Sequence, residues 1–73
     1  MQLTFKTSSE GNYIVQDCDG KLRVLKIEVA DILLNDWQRI ATSAEGTLAV
    51  TADAIVDGLT NALVAAEQIR IGA

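Results

Sequence analysis

The chain has 73 residues, one cysteine, no histidine and no proline, and ten carboxylates against six cations give it a net charge of −4. A lone cysteine excludes an internal disulfide, and without histidine a single thiolate cannot complete a tetrahedral zinc site. Hydrophobic residues make up 49% of the chain, too many for a disordered segment, so a small packed domain is expected, with self-association as a source of stability.

Residues 2–7, QLTFKT, alternate. Leu3 and Phe5 face one way, Gln2, Thr4 and Lys6 the other, which predicts a half-buried strand. SSEGN at 8–12 is a turn by composition. YIVQ at 13–16 and KLRVLKI at 21–27 are apolar and β-branched, and they flank DCDG at 17–20. Aspartate bonds the backbone ahead of it, and Asp-Gly accepts left-handed backbone, so this reads as a β-hairpin. Two registers fit. A two-residue Asp19-Gly20 loop pairs Val15 with Val24 and Ile14 with Leu25. A three-residue loop with a glycine bulge pairs Ile14 with Val24 and Tyr13 with Leu25. Either register leaves apolar side chains on both sheet faces.

From Val29 the apolar period becomes helical. Val29, Ala30, Leu33, Leu34, Trp37, Ile40, Ala41 and Ala44 form one broad stripe, with Gly46 as a stop. TLAV at 47–50 reads as an extended connection or a short fourth strand. Thr51 is placed as the N-cap of a second helix over residues 52–70, lined by Ile55, Val56, Leu59, Ala62, Leu63, Ala66 and Ile69. Gly58 interrupts it, either kinking the helix or making room for another element, and Gly72 is placed past its end as a C-terminal cap. The order β-β-β-α-(β)-α predicts one small α+β domain over residues 1–73, a three-stranded antiparallel sheet with two helices on one face.

Asp17, Cys18, Asp19 and Gly20 form the densest cluster of reactive types. Counted as a calcium loop from Asp17, the position needing a fifth oxygen ligand is Lys21, and the glycine comes two residues early. As a nucleophile, Cys18 has no histidine base, and Asp17 and Asp19 oppose thiolate formation. No serine has a histidine partner, and the five glycines are isolated rather than gathered into a phosphate loop. No catalytic residue, metal ligand or cofactor is therefore expected.

Apolar residues lying off their stripes carry more information. Ile32, Val64 and Ile71 on the helices, Tyr13 and Val15 on the hairpin, and Trp37 as an aromatic anchor are the candidate interface residues. The expected function is a non-enzymatic protein-binding or assembly module that self-associates through an apolar surface, most simply as a dimer. An alternative is a small acidic inhibitor or accessory protein, of the kind phages and mobile elements carry, covering a basic partner protein. A third is an enzyme completed between subunits by Asp17, Asp19 or Glu28. No basic patch suggests nucleic acid, no unbroken apolar run suggests a membrane span, and a free thiol without an export signal suggests the cytoplasm.

Overall fold

A computed structural model describes residues 2–72. Three strands, β1 (Leu3–Thr7), β2 (Tyr13–Cys18) and β3 (Lys21–Lys26), form an open antiparallel sheet in the order β1-β2-β3. Two helices follow, α1 (Ile27–Ser43) and α2 (Thr47–Gly72), packed on the sheet in an α+β arrangement.

The hairpin takes the two-residue register. Asp19 has φ 52° and Gly20 φ 89°, so both central residues are left-handed, the signature of a type I′ turn. Asp17 Oδ1 accepts from the Gly20 N–H at 2.8 Å, and Asp19 Oδ1 accepts from the Gln2 N–H at 2.7 Å. Cys18 therefore pairs with Lys21, Val15 with Val24 and Ile14 with Leu25. Leu3, Phe5, Ile14 and Leu25 share the face under the helices, and Ile14 and Leu25 are buried there.

The second helix differs from its expected extent. TLAV is helical rather than an extended connection or a fourth strand, and Thr51 lies inside α2 rather than at its cap. The reason is visible in the spacing. Leu48, Ala52, Ile55, Leu59, Ala62 and Ala66 recur at alternating steps of four and three, so the helical period begins before Thr51. Gly46, with φ 65°, redirects the chain between the two helices. Gly72 is the last residue of α2 rather than a cap beyond it, and α1 begins at Ile27, two residues before the periodic stripe, because β3 runs straight into it.

Of the two readings of Gly58, the helix follows the second. α2 is continuous through it, and a Cβ there would lie 3.0 Å from the Phe5 ring, so the missing side chain lets β1 approach. Gly11 plays a tighter role in the β1–β2 loop. It is buried, and Arg70 donates from its guanidinium to the Gly11 carbonyl at 2.7 Å, clamping the loop to the end of α2. Replacing Arg70 with methionine is expected to lower stability by about 1 kcal/mol in urea unfolding. An unchanged midpoint would show that this clamp is not a stabilising contact.

The core is thin. Ile14, Leu25, Ala30, Ile55, Leu59, Ala62 and Ala66 form its buried cluster, and Ile14 and Leu59 are its largest fully buried side chains. Ala30 is the one buried residue of the whole of α1.

Candidate interaction surface

The side chains of a strand alternate between faces, so the register defines the sheet surface away from the helices. Tyr13, Val15, Leu22 and Val24 lie on it, with Thr4, Lys6, Asp17 and Lys26 around them. Val15 and Val24 sit directly opposite one another, Tyr13 is beside Lys26, and Leu22 is beside Asp17. Leu22 and Val24 are 68% and 63% exposed, high values for apolar strand residues on a packed sheet. The four apolar side chains make one contiguous patch rimmed by charge.

The other candidate residues do not join it. Ile32 is on the open side of α1 and Ile71 at the end of α2, exposed at 60% and 75%. Val64 lines a shallow groove between the two helices, with Ile27, Leu34 and Leu63. Trp37 packs against the core and is half-buried, which fits a core anchor. Val29 and Ile40 lie on the apolar stripe of α1 yet remain exposed, because the stripe is wider than the strip α2 covers.

Leu22 and Val24 were absent from the sequence-based candidates. The signal that finds them is the Asp-Gly turn itself, once both its residues are read as left-handed. That assignment selects the register and so puts Leu22 and Val24 on the face of Tyr13 and Val15.

The DCDG cluster is occupied by structure. Both carboxylates accept backbone N–H groups that shape the turn and tie it to the start of β1. Cys18 is a half-buried free thiol on the helix side of the sheet, level with Leu3 and Lys21. Among the described residues, no three His, Cys, Asp or Glu side chains are grouped to hold a metal ion.

Charge is unevenly divided. Residues up to Lys26 carry four cations, Lys6, Lys21, Arg23 and Lys26, against Glu10, Asp17 and Asp19. From Ile27 onward Arg39 and Arg70 face seven carboxylates. The ion pair among the described residues is the exposed Arg39–Asp36 contact on α1, at 2.8 Å. The sheet is thus mildly basic and the helical layer strongly acidic.

By length and composition, α2 is long and apolar enough to cross a bilayer, a criterion core helices of water-soluble proteins also meet. Its apolar residues lie on both sides of Asp53 and Asp57 and are broken up by them, which is why no unbroken run announces it. Ile55, Leu59, Ala62 and Ala66 are committed to the core, yet only 22% of its most apolar stretch is buried. No protein-family model, curated protein or solved structure matches this chain.

Proposed function

We propose that the protein is a self-associating assembly module that buries the outer sheet face against a second copy. The observation that carries this reading is surface area. A globular monomer of 7.8 kDa exposes about 4,400 Å². This chain exposes 5064 Å². The excess, roughly 700 Å², is close to the share each partner contributes to a standard protein interface. The radius of gyration, 12.4 Å, likewise exceeds the roughly 11 Å of a compact chain of this length.

The outer sheet face is the natural place to bury it. Val15 and Val24 supply a β-branched centre, Tyr13 an amphipathic aromatic, and Lys6 and Lys26 a charged rim. This is the apolar-core, polar-rim layout of protein interfaces. Two copies joined there would stack as helix, sheet, sheet, helix, hiding the patch that the helices leave open.

Sedimentation equilibrium over a wide concentration range tests the reading. The wild-type chain should be a dimer whose melting temperature rises with concentration. Val15→Lys, which places a charge at the patch centre, should be a folded monomer, its affinity for a second copy reduced about 100-fold or more. A wild-type monomer at all concentrations would overturn the proposal.

A second reading rests on the charge division. The acidic helical layer would cover a basic protein surface, and such a complex should weaken steeply with salt.

A further inference from the structure

We infer that the free edge of β3 is a strand-addition site for an extended acidic peptide segment.

The argument begins with the backbone ladder. In a two-residue hairpin the residues flanking the turn exchange both hydrogen bonds, and the pattern then alternates. Cys18–Lys21, Gln16–Arg23 and Ile14–Leu25 are the bonded pairs by this rule, in the observed register. The Tyr13 carbonyl supports the assignment, because it turns away from β3 and accepts from the Ser8 N–H at 2.9 Å. The groups of Leu22 and Val24, and the N–H of Lys26, therefore point off the sheet. No turn, loop or side-chain hydrogen bond among the described residues uses them.

Natural edges are blunted by proline, bulges, short strands or a covering element. β3 runs six residues without a proline or a left-handed residue, and five of the six are exposed. The remaining device is charge. Lys21 and Arg23 project on the helix side, beyond the reach of the helices, and Lys26 on the outer side. None of the three has an ion-pair partner among the described residues.

Those cations decide the occupant. A second copy of β3 would bring three more cations to the same two-stranded ribbon, and like charges on neighbouring strands repel. An acidic strand meets the opposite situation. Its backbone completes the ladder. One side-chain parity sets carboxylates beside Lys21 and Arg23, and the other extends the Val15–Val24 row. The preferred segment alternates acidic and β-branched residues. Such a site is separate from face-to-face self-association, which uses side chains of the outer face and not the edge.

The test titrates the blocked peptide Glu-Val-Glu-Thr-Glu-Val into the ¹⁵N-labelled chain, and Lys-Val-Lys-Thr-Lys-Val as control. Titrations use both the wild-type chain and Val15→Lys, so loss of self-association and loss of strand addition are read separately. The acidic peptide should protect the Leu22, Val24 and Lys26 amides from exchange, and its binding should weaken with salt. Arg23→Glu should weaken the acidic peptide by about tenfold or more and favour the lysine peptide. Val24→Pro removes one outward N–H that the β2–β3 ladder does not use, so it should abolish protection while Val24→Thr retains it. Three results would overturn the inference. One is no binding of the acidic peptide at about 1 mM. Another is equal binding of both peptides. The third is protection of the three amides by protein concentration alone, which would make the occupant a second copy.

Discussion

Alanine at position 11 is expected to destabilise the fold more than any other single-atom-scale change in the chain. Gly11 has φ 76°, a left-handed conformation that costs an L-residue about 1 kcal/mol. A Cβ built there would lie 2.5 Å from the Ala66 carbonyl oxygen and 3.2 Å from Arg70 Cγ and Ile69 Cβ. The first of these is the backbone of α2, so relief requires moving the helix or peeling the loop away. Either movement also breaks the Arg70 clamp. The combined cost is about 3 kcal/mol or more. A domain of this size has about 4–11 kcal/mol of stability in all. Gly20 and Gly46 are the internal controls. Both have positive φ, at 89° and 65°, but nothing lies within 4 Å of a Cβ at either. Alanine at those positions should cost about 1 kcal/mol from backbone strain alone. Urea unfolding followed by circular dichroism separates the three. A Gly11→Ala midpoint no lower than that of Gly20→Ala would refute the close approach.

Leu59→Ala is expected to be comparably severe, by a different route. Leu59 is fully buried in a cluster whose other α2 members are Ile55 and two small residues, Ala62 and Ala66, close by on the same helix face. Alanines have no side-chain reach with which to refill the space, so the cavity persists. The loss should be about 3–5 kcal/mol. For a domain of this length that lowers the melting temperature by roughly 15 °C or more. Ile32→Ala is the matched control, because Ile32 is 60% exposed and its truncation should change monomer stability by about 0.5 kcal/mol or less. Equal melting temperatures for the two variants would contradict the assignment of the core.

Much of the architecture is legible locally. The alternation of QLTFKT, the Asp-Gly turn and the 3.6-residue period of the two helices each follow from side-chain placement along one element. The α+β class follows from their order. What misled the reading of TLAV was a strong local cue, a threonine with aspartate two residues on, set against a spacing that continued through it. The helix instead starts at Thr47, with the Val50 N–H donating to the Gly46 carbonyl, and continues through Thr51 although Leu48 is itself 52% exposed, because extending a helix already formed costs little beside a single cap.

The surface was less legible. Tyr13, Val15, Ile32, Val64 and Ile71 stand out as surplus apolar residues in the sequence. Their grouping does not, since nothing in the periodicity says that Tyr13 and Val15 share a patch while Ile32, Val64 and Ile71 lie apart. Trp37 looks the same in sequence whether it anchors a core or an interface. Its packing against the core is a matter of how α1 lies, and α1 has only Ala30 fully buried.

The sequence by itself determined the three strands, the hairpin at DCDG and the presence of two helices, though not the start of the second, and it excluded an internal disulfide and a tetrahedral zinc site. These depend on interactions within a few residues or on which side chains exist at all. Tertiary structure alone decided which faces and edges remain open. A helix of 26 residues lies mainly along β1, with α1 alongside it, and Lys21 and Arg23 of β3 are left uncovered. Coverage of that kind is set by the relative lengths and positions of distant elements, and no local pattern encodes it.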